Sequence, residues 1–168
     1  MPTAFTIRAA RPDDAAALAQ IYSGYIRDTV ISFEEAELSV AQMAERVADV
    51  GARWAWLVVE REGEVLGYAY ANTWKTRSAY NHTVETTIYL RPDCGGQGLG
   101  RALYTALFEA LQPLQVHAML ACIALPNDAS VALHERMGFE KIGHFSEVGR
   151  KFGRWLDVGY WRRNGDLA

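Results

Sequence analysis

The segment Cys94-Gly95-Gly96-Gln97-Gly98-Leu99-Gly100-Arg101 separates two regular sequence patterns. Before it, Thr83–Leu90 is rich in Thr, Val, Ile and Tyr, which predicts a β-strand. After it, leucines recur at every fourth position from 99 to 111, which predicts an amphipathic helix. Glycines at a helix start let the backbone approach a ligand and expose N–H groups at the positive helix end. The segment therefore predicts a strand, an anion-binding turn and a helix in succession.

Two better-known phosphate-binding patterns do not match this turn. It lacks the Gly-Lys-Ser/Thr ending of a P-loop, and the strands before it are predicted to form a hairpin rather than to start a βαβ unit. A glycine-rich turn is also a weak signal by itself, because glycines serve tight turns that bind nothing. Nucleoside triphosphates and NAD are therefore disfavoured.

The rest of the chain alternates helix and strand signals around this unit. Ser39 and Gln42 form a capping box, which opens a helix to about Val50. Asn127 can cap a later helix that ends before Gly138. A helix also follows Pro12, and further strands are predicted near residues 5–7, 54–60, 65–74, 116–125, 139–148 and 154–161. The order βααβββαβαββ predicts one α/β domain over residues 1–168, with a mixed, largely antiparallel sheet flanked by helices.

Charge and composition exclude several classes of partner. The 168 residues include 17 Lys and Arg against 20 Asp and Glu, a net charge of -3, whereas nucleic-acid binding needs clustered positive charge. No run approaches the roughly 20 apolar residues that span a bilayer, and the N-terminus has no secretory pattern. Cys94 and Cys122 are too few for a disulfide framework. We expect a cytoplasmic protein without nucleic-acid or membrane partners.

Further sequence blocks are shared with a known family. They are Trp74-Lys75, Tyr80, Thr83-Val84-Glu85, Leu125-Pro126-Asn127-Asp128, Ser130, His134-Glu135, Gly138-Phe139 and Phe152-Gly153-Arg154-Trp155-Leu156-Asp157-Val158. Together with Gly98 and Gly100, these blocks resemble the GNAT superfamily of N-acetyltransferases, and within it the phosphinothricin and methionine sulfoximine acetyltransferases. The pyrophosphate loop of that superfamily begins with Arg or Gln, but the corresponding residue here is Gly95. A side-chain contact to the pyrophosphate is therefore either absent or supplied by Gln97, and we expect the backbone donors of the turn to suffice, because they form the larger part of such a cradle.

The resemblance implies a fold and a set of ligands. It implies the GNAT fold, acetyl-CoA as co-substrate without a metal, a small amino-acid-like substrate, a homodimer, and resistance to the herbicide phosphinothricin. It also implies that the backbone of Ile88, Tyr89 and Leu90 pairs with the pantetheine arm. The other implied cofactor-binding residues are Gly96, Gln97, Gly98, Leu99, Gly100 and Arg101 around the pyrophosphate, and Asn127 and Ser130 along the CoA arm.

Glu85 is the candidate general base. An amine near neutral pH is mostly ammonium, which has no lone pair with which to attack a thioester, so a base must accept its proton. Strand alternation places Glu85 on the face opposite Val84 and Thr86. A solvent-facing carboxylate is the simpler interpretation of such a residue, and the family resemblance is what favours catalysis.

His134 is the second candidate catalytic residue. It stands where many members of the superfamily carry a tyrosine that serves the CoA thiolate, and an imidazole can donate a proton there as well. A packed helix histidine is the alternative. The remaining histidines, His82, His117 and His144, show no metal-ligand spacing.

Basic and aromatic residues are the candidates for holding the substrate. An arginine fork binds a carboxylate or phosphinate bidentately, which favours arginine over lysine for this role. The residues that the resemblance places near the amino-acid pocket or the dimer edge are Phe33, Trp74, Lys75, Thr76, Arg77, Tyr80, Lys151 and Arg154. Two alternatives stay open, namely an acetyltransferase for another amine, such as a polyamine or a protein N-terminus, and a non-catalytic acyl-CoA-binding sensor.

Overall fold

A seven-stranded sheet runs through the computed structural model, which describes residues 4–165. Its strands are β1 (Thr6–Ala9), β2 (Trp56–Arg61), β3 (Glu64–Thr73), β4 (Thr83–Leu90), β5 (Ala118–Leu125), β6 (Glu140–Lys151) and β7 (Arg154–Asn164). Their spatial order is β1-β2-β3-β4-β5-β7-β6, and each neighbouring pair is antiparallel except β4 with β5. The predicted α/β class with a mixed, largely antiparallel sheet is confirmed.

Four α-helices lie within the described residues: α1 (Ala15–Asp28), α2 (Val40–Gly51), α3 (Leu99–Leu111) and α4 (Asp128–Arg136). α2 begins with the predicted capping box, in which Ser39 Oγ accepts from Gln42 N at 3.1 Å and Gln42 Oε1 accepts from Ser39 N at 2.9 Å. α1 begins later than predicted, because Pro12–Asp14 form a 3₁₀ turn.

The helices divide between the two faces of the sheet. α1 packs Tyr22 and Tyr25 against Tyr89 of β4, with ring centroids 5.0 and 4.9 Å apart. Tyr104 of α3 reaches Thr86 instead, whose side chain points to the opposite face because strand side chains alternate. The face that carries Glu85 is thus covered by α1 and α2, and the face that carries Thr86 by α3 and α4.

Several strand limits differ from those predicted. β2 begins at Trp56 because the Trp54 amide donates to Val50 O at 2.8 Å, at the end of α2. β6 and β7 extend to Lys151 and Asn164 because they form one long hairpin. The predicted break at residues 149–153 is only a two-residue turn, in which Phe152 and Gly153 have positive φ.

The parallel contact between β4 and β5 is short. It covers only the pairs Thr83–Ala118, Val84–Met119 and Glu85–Leu120. Beyond it, β4 stays paired with β3 as far as Leu90, and β5 stays paired with β7 as far as Leu125. The two strands therefore separate after Glu85 and leave an open gap in the middle of the sheet.

Candidate active site

The glycine-rich segment lies beside this gap at the start of α3. Gly96 and Gly98 adopt positive φ angles of 74° and 79°, which a residue with a Cβ rarely adopts. A Cβ built at Gly95, Gly96 or Gly98 would meet no heavy atom within 4 Å, so the turn faces open space. The first N–H groups of a helix have no intrahelical acceptor. The turn therefore has the geometry of an anion-binding cradle.

The residues of the cradle differ in exposure. Leu99 and Gly100 are buried, and a Cβ at Gly100 would come within 3.0 Å of Leu133 Cδ2 on α4, so glycine permits the close approach of the two helices. Arg101 is exposed on the first turn of α3. Gln97 is already bound, because its Oε1 accepts from Arg61 Nη1 at 3.0 Å and its Nε2 donates to Asp93 O at 3.4 Å.

The end of β4 forms one edge of the gap. Ile88 points towards α3, where its Cδ1 would lie 3.7 Å from a Cβ at Gly100, and Tyr89 points towards α1. The carbonyl of Leu90 accepts from Tyr25 Oη at 2.5 Å, so this oxygen already has a partner. Within residues 4–165, the remaining backbone of this edge pairs with no strand on its β5 side, so its hydrogen-bonding groups are open to an extended ligand.

Asn127 and Ser130 stand at the start of α4. The Asn127 side chain accepts from Ser130 N at 3.3 Å, which confirms Asn127 as the helix cap. Ser130 Oγ lies 3.3 Å from His134 Nδ1, within the same helix. Both residues are only half-buried, so their polar side chains border the solvent.

Glu85 stands where the gap begins. It pairs with Leu120 of β5 on one side and with Asn72 of β3 on the other. Its half-buried side chain makes no hydrogen bond or ion pair with any residue from 4 to 165. Burial raises the pKa of this carboxyl, because removal from water disfavours the charged form. A carboxyl with a raised pKa and no protein partner has the properties of a general base.

Two further polar side chains share the face of Glu85. Cys122 lies two residues beyond Leu120 on β5, and Tyr160 of β7 is its direct partner across the strands. Burial raises the pKa of both groups, and the charge of Glu85 raises both further. Cys122 is a free cysteine whose side chain interacts with Tyr160. These residues form the β5–β7 side of the space in front of Glu85.

A cavity of about 330 Å³ opens on the same face, between α2 and the β2–β3 hairpin. Trp56 and Tyr70 form one wall, with their rings stacked at a centroid distance of 4.0 Å, and Arg53 and Asn72 also line the cavity. Because Asn72 is the cross-strand partner of Glu85, the cavity lies next to the carboxylate. Small-ligand pockets begin at about 300 Å³, so one small molecule fits.

His134 lies on the other face and has partners for both ring nitrogens. Nδ1 is 2.7 Å from Ser130 O, and Nε2 is 2.7 Å from Tyr104 Oη. Since a carbonyl only accepts, Nδ1 carries the proton and Tyr104 donates to Nε2. Burial lowers the pKa of the imidazole, and the residue is 3% exposed. Proton transfer from His134 to a thiolate would require the ring to leave one of these contacts.

The loop after β3 holds most of the candidate substrate-binding residues. Trp74 and Tyr80 pack edge to face with ring centroids 5.1 Å apart, and Lys75 Nζ lies 5.0 Å from the Trp74 centroid. Thr76 and Arg77 are exposed. The loop stands at the end of the sheet where β4 begins, close to Glu85 and to the cavity.

The candidates on the β6–β7 hairpin stand elsewhere. Arg154 is exposed at the hairpin turn, which lies at the opposite end of β5 from the start of β4. Lys151 is 2% exposed, and its Nζ donates to Ser32 O at 2.6 Å. The Lys151 ammonium therefore links the hairpin to the α1–α2 connection. In this position the ammonium is buried and does not face the solvent. Phe33, in that connection, packs against Gly149.

Sequence reasoning missed several residues around the site. Tyr104 lies on the apolar face of α3, and nothing in the sequence near it indicates that it contacts a histidine of another helix. Tyr25 similarly belongs to the helical stripe of α1, yet it binds the carbonyl at the end of β4. Cys122 and Tyr160 required the register between β5 and β7, which local patterns do not contain.

Comparisons with known proteins agree with this geometry. The family model for the acetyltransferase (GNAT) domain matches residues 7–159. The chain is 38% identical to the phosphinothricin N-acetyltransferase of Streptomyces viridochromogenes over 161 residues, which cover 96% of this chain and 88% of that protein. It is 36% identical to the L-methionine sulfoximine/L-methionine sulfone acetyltransferase of Pseudomonas paraeruginosa over 164 residues, which cover 96% and 95%.

A solved relative extends the likeness to the whole fold. The phosphinothricin acetyltransferase of Sinorhizobium meliloti, in complex with acetyl-CoA, matches with a TM-score of 0.92 and 35% identity, over 98% of this chain and 90% of that one. The chain belongs to the GNAT family of acetyltransferases. Its activity is that of an acetyl-CoA-dependent N-acetyltransferase.

No group of three or more His, Cys, Asp or Glu side chains between residues 4 and 165 could hold a metal ion. In the same part of the chain, no helix is long and apolar enough to cross a membrane.

Proposed function

We propose that this acetyltransferase acts on the amino group of phosphinothricin, methionine sulfoximine or a similar small amino acid. The observation that carries the proposal is Glu85, a half-buried carboxyl with no hydrogen-bond partner among residues 4–165, between the gap in the sheet and a cavity of amino-acid size. The relatives named for these substrates cover nearly the whole chain.

Glu85 would remove the proton that blocks the reaction. The incoming ammonium gives one proton to the carboxylate, directly or through water, and the neutral nitrogen then attacks the acyl carbon. A C–N bond forms and a C–S bond breaks. The nitrogen loses a second proton as the amide forms and the departing sulfur takes up one proton, so the net reaction releases the proton first given to Glu85. When bound, acetyl-CoA supplies the activated acetyl group. The backbone of residues 88–90 and the cradle at residues 96–101 would orient it towards Glu85.

His134 would act on the departing sulfur only if its hydrogen bonds rearranged. Its neutral ring is held by Ser130 and Tyr104, and burial favours the uncharged form. We therefore propose that His134 joins α4 to α3 through its hydrogen bond with Tyr104, and that an acid role requires a ring movement.

The acidic groups of the substrate would be held by exposed cations. Lys75 and Arg77 lie at the end of the sheet nearest Glu85, and Arg154 lies at the far end. β5, which runs between these two ends, is about 25 Å long at roughly 3.3 Å per residue. One small amino acid does not bridge that distance, so Arg77 is the better candidate within one protomer, and Arg154 would act from a partner subunit.

We also propose a homodimer that uses the β6–β7 hairpin. Exposed apolar side chains gather there: Ile142, Phe145, Val148, Phe152 and Trp155, each more than half exposed. Apolar groups concentrated on one hairpin are a mark of an interface. In such a dimer, the hairpin would carry Arg154 towards the partner's site. Sedimentation of the purified protein would measure the oligomeric state, and Trp155→Glu should shift a dimer towards monomer.

Turnover on a panel of amines tests the proposed substrates. Release of the CoA thiol should be fast with phosphinothricin or methionine sulfoximine and slow with polyamines and peptide N-termini. Expression in a sensitive host should then confer resistance to phosphinothricin as a herbicide. Turnover on polyamines or peptides alone would show that a different amine is the substrate, and binding of acetyl-CoA without turnover on any amine would show a non-catalytic sensor.

Separate kinetics for the two substrates test the proposed cations. Arg77→Ala should raise the KM for the amino acid by about tenfold or more, the usual effect of losing a hydrogen bond to a charged group, and leave that for acetyl-CoA nearly unchanged. Arg154→Ala should have the same effect only if the protein is a dimer. If Arg77→Ala leaves the amino-acid constant unchanged, other residues hold the substrate.

A further inference from the structure

The anion cradle lacks a cationic side chain of its own at its first position. Gly95 occupies the position that carries Arg or Gln in the resembled loop, and Gln97 is bound to its neighbours. A pyrophosphate brings two negative charges, and the chain has a net charge of -3. A cation from another part of the fold would compensate for the missing side chain.

Arg61 approaches the cradle from the β2–β3 hairpin. It is the last residue of β2 and pairs with Glu64 across a two-residue turn, in which Glu62 and Gly63 have positive φ angles of 53° and 81°. This tight turn fixes where the arginine leaves the sheet. Arg61 Nη1 donates to Gln97 Oε1 at 3.0 Å, so the guanidinium lies at the glycine-rich turn.

The guanidinium of Arg61 is incompletely satisfied. Its Nε is buried and has no hydrogen-bond partner, and Arg61 makes no ion pair within residues 4–165. Nearby Arg91 differs, because its fork is bound to Glu64 and Asp93. The Nη2 group of Arg61 also makes no hydrogen bond within residues 4–165, so an acceptor arriving at the cradle would meet a free donor there. Of these two arginines, Arg61 is therefore the one whose positive charge is not paired with a carboxylate of residues 4–165.

We propose that Arg61 supplies the positive charge to the CoA pyrophosphate that Gly95 does not. This inference rests on the proposed binding of the cofactor in the cradle. An arginine offers five donors in a planar fork, of which Gln97 uses one, and phosphate oxygens suit the others. Gln97 then serves as the positioning residue that keeps the guanidinium beside the turn.

Direct binding of CoA and dephospho-CoA to the full-length protein tests the proposal without an amine substrate. Arg61→Met keeps the aliphatic stem and removes the guanidinium. Calorimetry should show both ligands binding about three- to tenfold more weakly, an effect moderated by solvent exposure, and the loss should shrink with added salt. Arg136→Ala, an exposed change of equal charge on α4, should leave both affinities unchanged. Thermal unfolding of each variant checks that it is folded.

The two ligands distinguish the phosphate that Arg61 contacts. Dephospho-CoA lacks the 3′-phosphate, so a loss confined to CoA would assign Arg61 to that group and overturn the proposal. Unchanged affinity for both ligands, or an equal loss in Arg136→Ala, would overturn it too. Because these measurements need no turnover, they stay informative even if the proposed amino-acid substrates fail.

A restored side chain in the turn provides the second test. Gly95 has φ -63° and ψ 149°, which any residue adopts, and a Cβ there meets nothing within 4 Å. Gly95→Arg should therefore fold normally, and adding it to Arg61→Met should recover most of the lost affinity for both ligands. Failure of Gly95→Arg to restore binding would contradict the idea that Arg61 replaces this missing side chain.

Discussion

Two ionisable side chains flank the middle of the sheet, Glu85 on the face covered by α1 and α2 and His134 on the face covered by α3 and α4. His134 is nearly inaccessible, and its two ring nitrogens are bound to Ser130 and Tyr104. Glu85 is only half-buried and has no hydrogen-bond partner among residues 4–165. Burial raises the pKa of Glu85 and lowers the pKa of His134, and both shifts favour the neutral form of the side chain.

The difference shows which group the fold leaves available for chemistry. A buried polar group normally finds its partners inside the protein, and His134 does so. A carboxyl that is partly removed from water without a partner is less stable in its charged form, so a proton from an incoming ammonium binds to it more readily. Glu85 is therefore prepared for proton transfer, whereas His134 contributes to the packing and hydrogen bonding of α3 and α4.

Substitution of the proposed base should have the largest effect. Glu85→Gln preserves the shape of the side chain but cannot accept the proton, and kcat should fall by about 10²–10⁴-fold. In the wild-type enzyme the rate should rise with pH through the raised pKa of Glu85, because only the deprotonated carboxyl acts as a base. Steady-state rates over a pH series measure both effects.

An exposed glutamate provides the matched control for this prediction. Glu109→Gln changes a carboxylate on the outer face of α3 and should leave the rate and its pH dependence intact. If Glu85→Gln keeps the wild-type pH profile, then the carboxylate is an ordinary surface group and the contrast with His134 is lost.

Removal of the Tyr104 hydroxyl tests the other half of the comparison. Tyr104→Phe leaves His134 Nε2 as a buried acceptor without its donor, which should lower the free energy of unfolding by about 1–3 kcal/mol. Because the partnered histidine is structural in this interpretation, kcat should change little. Urea unfolding and saturating kinetics measure the two quantities, and a loss of kcat as large as that of Glu85→Gln would assign His134 to proton transfer.

Local patterns predicted much of the fold. The capping box at Ser39 and Gln42 and the cap at Asn127 lie where expected, because caps are set by side chains a few residues apart. The spatial order of the strands and the short contact between β4 and β5 depend on pairing between distant segments. Alternation and spacing do not contain that information.

The predicted site shows the same division. Sequence placed Glu85 on its face of β4 and the glycines at the start of α3, since both follow from local geometry. It named Lys151 among the candidates for holding the substrate, whereas the structure buries its ammonium against Ser32 O. That contact joins residues 119 positions apart, and no periodicity reveals it. The resemblance supplied the chemistry, and the tertiary contacts decided which side chains remain accessible.

A substitution in the glycine-rich turn tests whether acetyl-CoA and the amino acid bind at separate places in the site. Gly98 caps α3 with φ 79°, where a β-branched residue is strained by about 1–2 kcal/mol. Gly98→Val also places a side chain in the open space where the backbone would meet a phosphate, and should raise the KM for acetyl-CoA about tenfold, while the amino-acid constant stays nearly unchanged. Gly95→Ala is the control, because its backbone is extended and its surroundings are open. Equal changes in both constants would point to a general loss of structure.

The smallest expected effect concerns stability and uses the raised pKa of Glu85 directly. In the folded protein this carboxyl holds its proton to a higher pH than in the unfolded chain, so the folded state binds more protons between the two pKa values. Stability contributed by the protonated carboxyl is complete below the ordinary glutamate pKa and is lost as the pH rises through the raised folded value. Glu85→Gln has no such titration. Its free energy of unfolding relative to wild type should therefore be more favourable at about pH 8 than at about pH 4, as measured by urea unfolding. If the relative stability does not change with pH, then folding leaves the Glu85 carboxyl as well solvated as it is in the unfolded chain. Glu85 would then be a surface carboxylate like Glu109.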